Sequence, residues 1–148
     1  MNSVLFVCLG NICRSPLAEG IARERLRARH PRNIVDSAGT GDWHVGEPPC
    51  SNAIKIAAMH GIDISMLRAR QVTQEDIERF SVLVGLDDSN IASLKAMGAS
   101  NVLKLGDYGY GGKDVPDPYF FEGFEGFETV YEIIEVCVGN LLDELQLT

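Results

Sequence analysis

The chain has 148 residues, 45% hydrophobic and 23% charged, which predicts one globular domain over residues 1–148 with one substantial core. Its formal net charge is −8, from 21 acidic against 13 basic residues, and this argues against nonspecific nucleic-acid binding, which needs a basic surface. No apolar run has the length of a membrane span or of a signal-peptide core, and Cys8, Cys13, Cys50 and Cys137 lack a paired metal-binding spacing, so a cytoplasmic protein with free thiols is expected.

Residues 4–7 are apolar throughout, the pattern of a strand buried on both faces. Ser15-Pro16 opens a helix, since proline is favoured in a first turn where its missing N–H costs nothing; the helix runs to about residue 28 and stops at His30-Pro31. Residues 33–37 read as a second strand, followed by a glycine-rich loop to Gly46. Residues 51–59 predict a helix stopped at His60-Gly61. Thr73 caps a short helix to residue 80, and residues 81–86 form a third strand. A helix from Ser89-Asn90 closes at Gly98, and residues 102–105 give a fourth strand. Residues 106–126 read as a long loop, and 127–145 as a final amphipathic helix.

Strands alternating with helices predict an α/β fold: a doubly wound four-stranded parallel sheet with helices on both faces and a phosphate loop after the first strand. Ligands on such sheets bind beyond the strand C-termini, where the strand order reverses. Loops 8–15 and 106–126 both belong at that end. The length of the second favours a functional role.

Residues 8–15, CLGNICRS, carry the chemistry. A strand-to-helix turn aims backbone N–H groups at one small volume, and the helix N-terminus adds partial positive charge. Such a nest, built from Leu9, Gly10, Asn11, Ile12, Cys13, Arg14 and Ser15, holds a tetrahedral anion. It also lowers the pKa of a thiol at its floor, here Cys8. Arg14 offers a planar fork for two phosphoryl oxygens. Together these residues predict a thiolate attacking phosphorus. Gly10 and Asn11 are expected to let the loop curl at positive φ. Ser15 caps the helix and can donate its hydroxyl to the thiolate. Trp43, Tyr119 and Phe120 read as walls of a deep aromatic slot that would exclude the shorter phosphoserine, with His44 tuning substrate preference. Residues 109–113 do not make a nucleotide loop, because Lys113 is followed by Asp114 rather than Ser or Thr.

The segment VLFVCLGNICRSPLAEG resembles the N-terminal signature of the low-molecular-weight protein tyrosine phosphatases. IVDSAGTGDWHVGEPP, HGIDISMLRARQ, LDDSN, VPDPY and GFETVYEIIE follow in that family's order, so the resemblance spans nearly the whole chain. It implies hydrolysis of phosphotyrosine, and of aryl phosphates generally, through a cysteinyl phosphate on Cys8, with no metal or other cofactor. It singles out Asp117 as general acid over its neighbours Asp107 and Asp114. Because that carboxyl must be protonated for the first step, activity is expected to peak on the mildly acidic side of neutral. The resemblance also makes Asn11 a loop support with Ser37 as partner, and Cys13 a redox guard that pairs with Cys8. Phosphotyrosine-bearing proteins are the implied partners, a tyrosine kinase of the same cell among them.

The chain departs from the family pattern at three positions. Phe120 stands for a second tyrosine, and Leu67 for a common histidine, which would remove a polar support of the loop. Cys50 stands for a commonly acidic residue and has no functional reading. An arsenate reductase on the same scaffold needs further cysteines, and residues 73–97 contain none. A phosphate-binding module has no use for Asp117, and a sugar-transport phosphocarrier needs neither Arg14 nor Asp117.

Overall fold

The computed structural model describes residues 3–27, 34–121 and 123–146, apart from the side chain of Phe120. In chain order the elements are β1 Ser3–Cys8, α1 Arg14–Leu26, β2 Ile34–Gly39, α2 Ser51–Met59, α3 Gln74–Arg79, β3 Val82–Gly85, α4 Asp88–Ala96, β4 Val102–Lys104 and α5 Glu125–Glu144. The four strands are parallel in the order β2-β1-β3-β4, the doubly wound sheet expected from the alternating pattern. The order reverses at β1, which has β2 on one side and β3 on the other. The crevice beyond its last residue, Cys8, is therefore the binding position of this architecture.

The alternation of side chains along β1 builds two cores. Val4, Phe6 and Cys8 face a layer that includes Leu17 and Ile21 of α1, Ile56 of α2, and Val130, Ile134 and Val138 of α5. Leu5 and Val7 face the opposite layer, with Ile77 of α3 and Leu94 of α4. Every residue of β1 is buried, which is why the run is apolar without alternation. Truncating Phe6 to Ala would cost about 3–5 kcal/mol through lost contacts and a residual cavity. Capping boxes start two helices. The Thr73 hydroxyl and the Asp76 carboxylate exchange backbone hydrogen bonds at α3, and Asp87 and Asn90 do so at α4.

Several boundaries differ from the sequence reading. β2 runs on to Gly39, because the sheet continues until the phosphate loop crosses it. A Cβ on Gly39 would lie 2.8 Å from the Leu9 carbonyl oxygen, so only glycine lets the two backbones approach. β4 ends at Lys104, where the chain tightens into a 3-10 turn over Leu105–Tyr108. The long loop holds a second such turn at Pro118–Phe120, and α5 begins at Glu125 rather than residue 127. The expected helix stop at His30-Pro31 and the start of the second strand at residue 33 lie outside the described residues. Among the described residues, no helix is long and apolar enough to cross a membrane.

Candidate active site

The loop from Cys8 to Ser15 owes its shape to outward-facing carbonyls. The Cys8 and Leu9 oxygens accept from the N–H groups of Thr40 and Gly41, each at 2.9 Å, and the Ile12 oxygen accepts from Cys50 N–H at 2.8 Å. A peptide unit is planar and trans, so a carbonyl turned outward turns the next N–H to the opposite side. The N–H groups of Leu9, Gly10 and Cys13 are thereby aimed away from the surrounding loops. Asn11 adopts φ 57°, as expected of an asparagine in a tight curl. Gly10 is a correction: it is not among the positive-φ residues, and what it supplies is room. A Cβ there would sit 3.2 Å from His44 Cδ2.

Cys8 lies at the loop floor, 3% exposed. Its sulfur is 2.9 Å from the Ser15 hydroxyl and accepts from Asn11 N–H at 3.3 Å. The support continues inward. Asn11 Nδ2 donates to Ser15 Oγ at 2.8 Å and to Ser37 Oγ at 3.0 Å, while its Oδ1 accepts from Arg70 N–H at 3.0 Å. The Ser37 hydroxyl in turn donates to Glu19 Oε1 at 2.7 Å. Glu19 was missed by sequence reasoning. It reads as an ordinary mid-helix glutamate, yet it is 2% exposed. Burial pushes its carboxyl up from the ordinary range, against the pull of the Ser37 hydroxyl and Arg23. Leu67, at the expected gap in polar support, packs against the apolar core, while the donors and acceptor of the Asn11 amide are engaged as above.

Arg14 is 7% exposed. Its Nη1 donates to Asp87 Oδ2 and to the Val115 carbonyl, both at 2.9 Å. Among the described residues, Nε and Nη2 make no hydrogen bond, which leaves one edge of the fork for an incoming anion. Burial alone would lower the guanidinium pKa, but nearby Cys8, Asp87 and Asp117 outweigh it and hold it above its usual value. Asp87 is the second residue missed. In the sequence it lies just past the third strand, within LDDSN, with no role of its own; its position at a strand C-terminus beside the switch point was the available signal.

Asp117 caps the 3-10 turn Pro118–Phe120, its Oδ1 accepting from Tyr119 N–H at 3.0 Å. The competing carboxylates are elsewhere. Asp114 is bound to Lys104 Nζ at 2.9 Å and Asp88 N–H at 3.0 Å. Asp107 lies on the first 3-10 turn, and neither lines the pocket. That pocket, about 160 Å³, is lined by Cys8, Leu9, Gly10, Ile12, Cys13, Arg14, Trp43, His44, Asp117 and Tyr119. Trp43 and Tyr119 are 68% and 60% exposed, so they stand as a rim and not as core packing. Tyr119 leans its ring edge-on against Phe127 at 5.6 Å. His44 Nδ1 meets Glu47 Oε2 at 2.6 Å. The Phe120 side chain is outside the described part, so its expected place in the slot is not described. Cys13 Sγ stands 2.7 Å from Cys50 Sγ, a neighbour the sequence did not suggest.

Residues 3–148 match the low molecular weight phosphotyrosine protein phosphatase family. The chain belongs to that family. Among its relatives, the low molecular weight protein-tyrosine-phosphatase YfkJ of Bacillus subtilis is 40% identical over 99% of this chain and 97% of YfkJ. The YfkJ crystal structure superposes with a TM-score of 0.89, covering 99% of this chain and 95% of that one. A protein tyrosine phosphatase of Entamoeba histolytica, crystallised with Hepes in its active site, gives a TM-score of 0.91 at 32% identity, covering 99% and 97% of the two chains. The drosophila arginine phosphatase DARP gives 0.90 at 31% identity, covering 99% and 98%. The fold resemblance inferred from scattered motifs thus extends over the whole sheet, and the phosphatase is an enzyme of the low-molecular-weight protein tyrosine phosphatase class. The arsenate reductase alternative finds no support among these relatives.

Proposed function

We propose that this phosphatase hydrolyses phosphotyrosine in proteins, and aryl phosphates generally, through a phosphate transiently bonded to Cys8. The observation that carries the reading is the convergence of Cys8, Arg14 and Asp117 on one small pocket with an aromatic rim. The phosphoryl group would sit in the loop against its N–H groups, with two oxygens on the free edge of Arg14. The Cys8 thiolate attacks phosphorus, the bond to the phenolic oxygen breaks, and Asp117 gives that oxygen a proton as it leaves. Water then attacks the cysteinyl phosphate. Asp117 takes a proton from that water, and the sulfur departs as a thiolate met by the Ser15 hydroxyl and Asn11 N–H.

Substrate choice follows from depth and walls. A phenyl ring spans from the loop floor to the Trp43 and Tyr119 rim, whereas a serine phosphate would leave its backbone pressed against those rings. A tyrosine kinase carrying its own phosphotyrosines is a suitable partner by the same chemistry. Initial rates on matched phosphotyrosine, phosphoserine and phosphoarginine peptides test the reading. It predicts a kcat/KM at least about 100-fold higher for phosphotyrosine. Equal or greater turnover of either other peptide would contradict it.

A further inference from the structure

Cys50 is where a chemistry-bearing side chain stands outside the catalytic account. It is the N-cap residue of α2, half-buried, and its N–H bonds to the Ile12 carbonyl of the phosphate loop. That bond fixes the start of α2 against the loop, one residue from Cys13. The result is a pair of sulfurs 2.7 Å apart, from residues 37 apart in sequence, of which Cys13 lines the pocket. Cys137, by contrast, is fully buried among the α5 core residues.

We propose that Cys13 and Cys50 form a reversible disulfide beside the nucleophile, taking up oxidation as a pair while Cys8 keeps its thiol. The two thiols differ in acidity. The Cys13 hydrogen bond, aided by the N–H of Ala53 and offset in part by burial, pulls the Cys50 thiol down to about 7, while Cys13 is pushed up and retains its hydrogen. Cys50, the more acidic thiol of the two, is thus the member that meets a small oxidant first. With hydrogen peroxide the Cys50 sulfur attacks one oxygen, the O–O bond breaks, and hydroxide leaves, to be protonated to water. The Cys13 sulfur then loses its proton and attacks the Cys50 sulfenic acid. The S–S bond forms as the S–O bond breaks, and the second oxygen leaves as water. Two thiols are oxidised and one peroxide is reduced to two waters. A dithiol reductant reverses the step by exchange. Cys13, once engaged, is withheld from Cys8. The pairing stands apart from the catalytic reading, because it is read from sulfur connectivity and not from turnover.

The test is peptide mapping of the full chain after a small excess of hydrogen peroxide, with free thiols alkylated before digestion without reductant. The expected result is a peptide joining Cys13 to Cys50, with Cys8 and Cys137 recovered alkylated. A dominant Cys8–Cys13 link, or Cys13 and Cys50 both recovered unlinked, overturns the proposal. Serine is a favoured N-cap, so Cys50→Ser should fold. It should abolish the link and with it the rise in Tm that oxidation gives the parent. In Cys13→Ser, Cys50 should be recovered as sulfinic acid instead of a disulfide. An oxidised parent whose Tm equals that of oxidised Cys50→Ser also counts against the pair.

Discussion

The loops after β1 and β4 close on the same pocket, but they are held in different ways. In the first, Asn11 reaches Ser15, Ser37 and the Arg70 N–H, Ser15 reaches Cys8, and Ser37 reaches Glu19. In the second, Val115 is the anchor: its N–H donates to the Leu86 carbonyl and its own carbonyl accepts from Arg14, both at 2.9 Å. Beyond Val115, Asp117 is held by the local cap to Tyr119, whose ring is largely exposed. Binding the anion calls for a rigid cradle, because each N–H must already point at its oxygen. Delivering a proton calls for an arm that tolerates substrates entering and leaving. Arg14 joins the two regions, since one nitrogen grips both the start of α4, through Asp87, and the acid-bearing loop, through Val115.

Breaking that joint should have the largest effect. Arg14→Lys removes both the fork and the strut, and kcat/KM should fall by about 10³-fold or more. Steady-state kinetics on an aryl phosphate check this, and a loss under about tenfold would separate the two loops. Asp117→Asn strikes the arm alone. It should lower kcat by about 10²–10³-fold for a phenyl phosphate and by less for a nitrophenyl ester, whose leaving group needs little protonation. Inorganic phosphate should still bind with near-parental affinity, because the cradle is untouched. Asp87→Asn keeps a competent N-cap for α4 but removes the charge that orients Arg14. It should cost about 2 kcal/mol in kcat/KM, roughly 30-fold, with little change in Tm.

The smallest effect is on stability at low pH. Burial would raise the Asp76 carboxyl, but the hydrogen bonds from Arg70 and Thr73 outweigh it and hold it below its ordinary 3.8. A carboxyl depressed in the folded state stabilises above its unfolded pKa, and that stability is lost as pH falls through the folded value. Asp76→Asn should therefore flatten the acid limb of the Tm profile below about pH 4. An unchanged limb would show that the Arg70 cluster, which lies beside the Asn11 support, does not contribute to it.

The same contrast explains what was legible in the sequence. The apolar run before Cys8, the Thr73 cap and the α5 stripe are local patterns, and their elements formed as expected, with α5 alone starting earlier, at Glu125. Cys8, Asn11, Arg14 and Ser15 were readable because one octet contains them all, although Ser15 does not cap α1: the helix begins a residue earlier, at Arg14, with Cys13 as N-cap. Asp87 and Glu19 were not, since their partners lie 73 and 18 residues away. Gly10 was assigned the wrong task, because the crowding by His44 arises only in three dimensions. Cys50 was silent for a related reason: its partner is fixed by a backbone bond between the start of α2 and the phosphate loop.

The central claim is that phosphate passes through the Cys8 sulfur. Reaction of the parent with an aryl phosphate, quenched within the first turnover and analysed by intact-mass and peptide mapping, tests it directly. The account predicts one phosphate on the peptide containing Cys8, absent in Cys8→Ser, which should also lose turnover by at least about 10⁴-fold. Phosphate on another residue, or sustained turnover by Cys8→Ser, would contradict it.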